Sequence, residues 1–199
     1  MTEVPQPTPG ETIDIHVLEG GKMPERKTDG AIGYDVYARA IVSETEKDPF
    51  DDRLRRTEFD FHTVPGSAWL QEHIIPDPDD ADKWAYVLRP GEHVLIGVGF
   101  ATALPPNMLY WLAPRSGLSM KRLTLTNAPG TVDPDYRGEA GALLVNQSEA
   151  DFVLQHETRI AQAVFAPVYL PIMIGKASIN ELGETARAGG GFGSTGLKD

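Results

Sequence analysis

Short apolar runs with a period of two residues constrain this chain more than any other feature of its sequence. Apolar side chains alternate with polar or small ones at 13–17 and again at 94–100. Such runs are typical of β-strands, and the clusters of glycine, proline and asparagine between them are typical of turns. We therefore predict an all-β barrel or sandwich. Further strands are predicted at 108–113, 142–145, 152–154 and 160–169, and helical periodicity is confined to 178–186.

Size, charge and composition narrow the class of protein. The 199 residues suit a single domain, and the lack of cysteine excludes disulfides and thiolate chemistry. A net charge of −11 argues against a nucleic-acid partner, because phosphate backbones require a basic surface. There is no apolar run of the ~18 residues that a membrane span needs, so no membrane partner is expected. Residues 1–10 lack the basic and apolar parts of a signal peptide, so we expect a cytoplasmic protein.

The stretch at about 41–88 differs from the rest of the chain. It holds twelve acidic and five basic residues, and its net −7 is most of the −11 of the whole chain. We interpret it as an insertion in the single domain 1–199, anchored by Trp69 and Trp84, which would pack on the barrel or on a neighbouring subunit. Its acidity would repel a nucleotide, so we expect it to lie away from a phosphate site and to be a candidate surface for a protein partner.

The C-terminal residues 187–199 combine glycines with Arg187, Phe192, Ser194 and Thr195. The composition of this segment alone would also suit an unstructured tail. An unstructured tail has no need of a guanidinium and an aromatic ring, however. Glycine allows backbone amides to converge on an anion, and arginine and hydroxyl groups donate to phosphate oxygens. We therefore predict a flexible arm that closes over a nucleoside polyphosphate.

Four upstream segments supply the groups that such a site needs. Residues 30–36 place a carboxylate beside glycines, and 113–119 supply a guanidinium, a hydroxyl and a glycine amide suited to phosphate. Residues 127–138 form a hairpin-like element with two carboxylates and a tyrosine, and 159–162 add a cation and an amide.

Together with the arm, these segments resemble the five motifs of the trimeric all-β dUTP diphosphatases, in the same order. The similarity covers about 10–40 and 89–199 and leaves out the acidic insertion. It implies a distorted, jelly-roll-like β-barrel that assembles as a homotrimer with shared sites. It also implies that the substrate is dUTP, which water converts to dUMP and pyrophosphate by attack at the α-phosphorus.

The resemblance also assigns roles to individual residues. Asp133 resembles the general base that activates water, and the resemblance implies that Gln162 is a catalytic residue near the α-phosphate. Tyr136 is similar to the ring that packs under deoxyribose and excludes a 2′-hydroxyl. Base recognition falls to the hairpin residues Asn127, Gly130, Thr131 and Val132. Asp135 is expected to be a turn or surface residue.

The phosphates and the metal are assigned in the same way. Arg115, Ser116 and Gly117 resemble the phosphate clamp of the second motif. The arm residues Arg187, Gly193, Ser194 and Thr195 would hold the γ-phosphate, and Phe192 would cover the base. Asp35 resembles the carboxylate that meets Mg²⁺ through water, as suits an ion bound mainly by phosphate oxygens. We expect Arg159 to form a structural ion pair.

Two other functions compete with dUTP hydrolysis. The related dCTP deaminases use a glutamate in the strand after the third motif, and this chain has Leu143 there, which cannot transfer a proton. A regulatory protein of the same fold could instead act through the insertion. The sequence departs from the family pattern at Ala188, where glycine is usual, and at 157–158, where Gly-Asp is common.

Overall fold

The computed structural model describes residues 12–190 and consists mainly of β-strands. The chain divides into two compact units, the first ending at Val168 and the second beginning at Tyr169. The strands are β1 Asp14–Val17, β2 Tyr34–Tyr37, β3 Ala40–Lys47, β4 Arg55–Phe59, β5 Ile74–Pro76, β6 Trp84–Leu88, β7 His93–Gly97, β8 Phe100–Ala103, β9 Met108–Pro114, β10 Leu123–Leu125, β11 Gly130–Val132, β12 Gly141–Asn146, β13 Phe152–Leu154 and β14 Arg159–Pro167. The short helices are α1 Ala68–Gln71, α2 Ser116–Ser119 and a 3-10 helix at Ile179–Leu182.

The strands pair into four antiparallel sheets. The two largest have the orders β10-β12-β7-β3-β4 and β11-β9-β14-β2, and the smaller ones are β13-β6-β5 and β1-β8. Their apolar faces pack around one core, whose fully buried side chains include Phe100, Tyr110 and Leu144. The predicted all-β class is confirmed. Within residues 12–190 the pairings do not run continuously around one closed barrel.

The predicted strand at 94–100 is in fact two strands. β7 ends at Gly97 and β8 begins at Phe100, and Gly99 between them has a φ of +77°. A Cβ on Gly21 would lie 2.2 Å from the Gly99 carbonyl oxygen, so two glycines are needed at this crossing. The apolar alternation continues through the break because Val98 and Phe100 remain buried. Periodicity alone therefore does not reveal that the chain changes sheets here.

The insertion is built into the fold. β3 and β4 extend the five-stranded sheet, and β5 and β6 belong to the three-stranded one. The side chains of Phe61 and Leu70 are fully buried, and Trp84 packs against the core. Trp69 is 53% exposed, so it does not anchor the insertion within one chain, and its packing on a neighbouring subunit stays a prediction. Within the chain the insertion is anchored by Trp84, as predicted, and by Phe61 and Leu70, which the sequence analysis did not single out.

The second unit, described as far as residue 190, starts with an exposed apolar run. Tyr169, Leu170, Ile172, Met173 and Ile174 are each at least 77% exposed. The predicted helical segment is confirmed in part by the 3-10 helix, which has a capping box between Ser178 and Glu181. No helix among the described residues is both long and apolar enough to span a membrane.

Candidate active site

Asp35, on β2, is the buried centre of a cluster of three charged side chains. Its Oδ1 accepts a hydrogen bond from Arg115 Nε at 3.1 Å, and its Oδ2 accepts one from Arg159 Nη1 at 3.0 Å. The residue is only 4% exposed, so the two guanidinium groups replace the water that the carboxylate has lost. The predicted structural ion pair of Arg159 is confirmed. Its partner could not be read from the sequence, because the pair depends on how β2 lies beside β14.

Two hydrogen bonds fix the orientation of the Arg115 guanidinium. Its Nη1 donates to the backbone oxygen of Arg159 at 3.0 Å, while its Nε is bound to Asp35. Two guanidinium groups and one carboxylate leave this cluster with a net positive charge. The cluster thus attracts anions, and Arg115 holds a fixed orientation towards them.

The other predicted phosphate-binding residues lie next to Arg115 or opposite it. Ser116 and Gly117 begin α2, whose first amide groups have no partner within the helix. A Cβ on Gly117 would meet no atom within 4 Å, so its backbone faces open space. Gln162 pairs with Asp35 on one side and with Ala113 on the other. A Cβ on Gly33 would lie 3.1 Å from Gln162 Oε1, so a glycine makes room for this side chain.

The residues predicted to bind the base lie on and before β11. Gly130 and Val132 are buried, whereas Thr131 is exposed, as the alternation of a strand requires. A Cβ on Gly130 would approach Asn127 Nδ2 to 3.0 Å, so the glycine lets the Asn127 amide fold back against the strand. The segment therefore offers a backbone edge and one side-chain amide to a ligand.

Asp133 and Tyr136 follow β11 directly. Asp133 is exposed, and its backbone oxygen accepts a hydrogen bond from Tyr136 N at 3.2 Å, which closes a turn through Asp135. Asp135 is thus a turn residue, as predicted. Tyr136 Oη donates to the Glu139 carbonyl at 2.9 Å, and burial raises the pKa of Tyr136. The ring is therefore held in one orientation and remains neutral.

Asn127, Val132 and Tyr136 line one cavity of about 380 Å³. Leu143 lies in its wall, so this position offers the ligand an aliphatic surface. Glu44 and Arg55 of the insertion also line it. This contribution could not be predicted, because the insertion lies outside the motifs and its register beside β7 cannot be read from composition.

The predicted residues form two separate groups in the chain. Val132 pairs with Tyr110 near the start of β9 and Asp133 follows Val132, whereas Arg115 follows the other end of β9. Arg115 is five residues beyond Tyr110 and Asp133 is one residue beyond Val132, so the two positions are about 20 Å apart along the strand direction. The phosphate cluster and the proposed base of one chain therefore lie at opposite ends of one strand.

The arm is described only as far as residue 190. Arg187 is exposed, and its Nε donates to the Gly190 backbone oxygen at 2.9 Å. Ala188 has a φ of +45°, a conformation that glycine adopts more readily, so the departure from the family pattern is a strained position. The predicted ligands Phe192, Gly193, Ser194 and Thr195 lie outside the described residues. No group of three or more metal-ligating side chains occurs within residues 12–190.

Comparisons with known proteins identify the family to which these candidate site residues belong. The dUTPase family model matches residues 83–196. The deoxyuridine 5′-triphosphate nucleotidohydrolase of Brucella melitensis is 48% identical over 117 residues, covering 58% of this chain and 73% of that protein. The protein of the same name from a Hydrogenobaculum species is 38% identical over 139 residues, covering 69% and 90%.

Solved structures show the same fold. The dUTPase of Staphylococcus bacteriophage 80alpha, in a structure with dUpNHpp, has a TM-score of 0.65 and 20% identity, covering 94% of this chain and 99% of that one. The dUTPase of phage phi11, in a structure described as showing a species-specific insert, has a TM-score of 0.57 and 18% identity, covering 84% and 97%. With both the family model and the sequence relatives in agreement, the chain belongs to the dUTPase family.

Proposed function

We propose that this protein hydrolyses dUTP to dUMP and pyrophosphate. The observation that carries the proposal is the cavity shared by Asn127, Val132 and Tyr136, with the exposed Asp133 on the same hairpin. The cavity is within the size range of small-molecule sites. The relatives named above act on deoxyuridine 5′-triphosphate according to their names.

At the nucleoside end, recognition and chemistry come from one hairpin. Asn127 and the backbone of Gly130–Val132 pair with the polar edge of uracil, and a cytosine would leave buried groups unpaired. Tyr136 packs against the sugar and leaves no space for a 2′-hydroxyl. Asp133 accepts a proton from water as the water attacks the α-phosphorus, and pyrophosphate leaves. Its exposure supports this role, because water can reach the carboxylate.

At the phosphate end, Arg115 donates to phosphate oxygens, assisted by Ser116, the Gly117 amide and Gln162. Support comes from the orientation of Arg115, which Asp35 and the Arg159 backbone both fix. Because the donors are in place before binding, little ordering is needed as charge moves onto pyrophosphate. Arg187 and the arm residues Gly193, Ser194 and Thr195 hold the γ-phosphate in this proposal, and Phe192 covers the base.

Mg²⁺ is the metal that we propose for the reaction. This ion binds phosphate oxygens and keeps part of its water shell, so it does not need a cage made of protein ligands. Each Asp35 oxygen accepts one hydrogen bond and retains a lone pair, so the carboxylate fits an outer-sphere contact through water. When bound, Mg²⁺ neutralises charge on the phosphates.

We further propose a homotrimer in which each site combines residues of different copies. Support comes from the separation of about 20 Å between Asp133 and Arg115 along β9, since both must act on one triphosphate. A second copy that supplies its phosphate cluster to the hairpin of the first removes this gap. The exposed apolar run at 169–174 is a further feature typical of surfaces that another chain covers.

Pyrophosphate release from dUTP, dCTP, dTTP and UTP, with and without Mg²⁺, tests the activity directly. Among the four nucleotides, we expect rapid pyrophosphate release only from dUTP, and we expect that release to depend strongly on Mg²⁺. A preference for another nucleotide, or a deaminated product from dCTP, would contradict the proposal. Leu143 in the cavity wall makes deamination the less favoured reaction, because an aliphatic side chain cannot transfer a proton.

The domain organisation, the cellular location and a protein partner for the insertion remain predictions from the sequence. We propose a single dUTPase domain, a cytoplasmic location and, for the insertion, a protein partner. Exposed apolar side chains on the insertion, Phe50 at 96% and Trp69 at 53%, support the last of these.

A further inference from the structure

One wall of the nucleoside cavity is formed by residues that belong to none of the five motifs. Glu44 on β3 and Arg55 on β4 line the same space as Asn127 and Tyr136. A charged side chain in a cavity of this size affects which ligand atoms can lie beside it. The β3–β4 hairpin is therefore a candidate part of the substrate site.

The Arg55 guanidinium is held in place, and some of its donors remain free. Its Nη1 donates to the backbone oxygens of Ser43 and Glu44, the first at 3.3 Å. Among residues 12–190, neither Nε nor Nη2 has an acceptor. A guanidinium anchored by one nitrogen loses little further freedom when the other two bind a ligand.

Contacts at two points fix the hairpin relative to Tyr136. A Cβ on Gly138 would lie 2.4 Å from the Arg53 backbone oxygen and 2.6 Å from Tyr136 Oη, so the β3–β4 turn meets the tyrosine across a glycine. Arg39 bridges the two elements: its Nη1 donates to Thr57 Oγ1 on β4 at 3.2 Å, and its Nη2 lies 2.6 Å from Oε2 of the buried Glu139. The charge of Arg55 also lowers the pKa of Tyr136 against the larger effect of burial. Arg55 and the ring proposed to pack on the sugar therefore line one cavity whose two walls are held together.

Arginine can only donate hydrogen bonds, so its ligand must present an acceptor. The nearby Glu44 carboxylate does not accept from Arg55; it lies 3.9 Å from His93 Nε2 and is largely exposed. We propose that Arg55 is a further substrate-binding residue, which donates to a neutral oxygen of the deoxyuridine moiety, either a base carbonyl or the sugar 3′-hydroxyl. This inference rests on the proposed function and concerns its nucleoside end.

Calorimetry of dUMP binding to the full chain tests this role without turnover. We expect Arg55→Met to raise the Kd of dUMP about tenfold or more, and Arg55→Lys to raise it less, because a charged donor is lost in the first and only displaced in the second. The KM for dUTP should rise by a similar factor while kcat changes little. Repeating the measurement with 2′,3′-dideoxyuridine monophosphate separates the sources. A penalty that disappears identifies the sugar oxygen, and a penalty that persists identifies a base carbonyl.

Arg56→Met is the matched control. Arg56 is the next residue on β4 and pairs with Glu46 and Glu58, so its loss removes a cation from the hairpin without touching the cavity. We expect it to leave the Kd unchanged, and melting temperatures of all variants check the fold. If Arg55→Met and Arg55→Lys bind dUMP as the unaltered protein does, the inference is wrong. If the unaltered protein instead fails to hydrolyse dUTP, the proposed function is wrong.

Discussion

Asp133 and Asp135 are two exposed carboxylates on the same hairpin, and only the first is proposed to act in the reaction. Replacing Asp133 by asparagine keeps the shape but removes the proton acceptor. Pyrophosphate release should fall by about 10²–10⁴-fold or more, while dUMP binding is retained. Stopped-flow turnover and calorimetry measure the two quantities.

Asp135→Asn is the control for this experiment, since it makes the same change within the turn. It should leave turnover near that of the unaltered protein. A strong loss in Asp135→Asn together with normal turnover in Asp133→Asn would reverse the assignment.

At the residue scale, motif order predicts the members of the candidate site, whereas the contacts between them could not be read from the sequence. Gly33 and Gly130 lie where a neighbouring side chain leaves little room for a Cβ, and local sequence carries that information. The pairing of Asp35 with Arg115 depends on the strand order β9-β14-β2, which brings together residues 80 positions apart. Arg55 reaches the cavity through a sheet register that no local pattern encodes.

At the element scale, Gly138 lies where the β3–β4 turn meets the hairpin of Tyr136. A methyl group here would overlap the Arg53 backbone oxygen and Tyr136 Oη, so one of the two elements must move. Gly138→Ala should cost about 1–3 kcal/mol in the free energy of unfolding and weaken dUMP binding several-fold. Urea denaturation and calorimetry are the measurements.

Gly66→Ala serves as the control because a Cβ there would meet no atom within 4 Å. The same glycine-to-alanine change should then be neutral or slightly stabilising through the unfolded chain. Equal effects of the two substitutions would show that the contact at Gly138 has no energetic weight.

The insertion offers a second test at this scale. Leu70 on α1 is fully buried, whereas its neighbour Trp69 is 53% exposed. Leu70→Ala should reduce the free energy of unfolding by about 2–5 kcal/mol, because it leaves a cavity in the core. Trp69→Ala should cost about 1 kcal/mol or less. Turnover of dUTP should be normal in both folded variants, since neither side chain lines the nucleoside cavity.

These expectations differ from those of the sequence, which singled out the tryptophans. Size and aromaticity suggested anchors, but burial is decided by which side of the chain faces the sheet. A larger stability loss for Trp69→Ala than for Leu70→Ala would place Trp69 against another surface, such as a second copy. The second half of the insertion then would be part of the assembly.

At the scale of the whole molecule, one chain brings its proposed general base and its phosphate cluster to opposite ends of β9. The sequence predicted shared sites from family resemblance, and the strand register now supplies a geometric reason. Val132 lies opposite Tyr110, so Asp133 cannot approach Arg115 without breaking the pairing of β11 with β9. A single copy should therefore be inactive however well it is folded.

Complementation between two inactive variants tests this directly. Asp133→Asn and Arg115→Ala should each be inactive alone. When the two are unfolded together and refolded as mixed assemblies, about a quarter of the sites should combine an intact Asp133 from one copy with an intact Arg115 from another. Pyrophosphate release should then recover to about that fraction, and light scattering should show a trimer. Activity that stays at the level of the separate variants would mean that both residues of a site come from the same chain, and the proposed assembly would have to be abandoned.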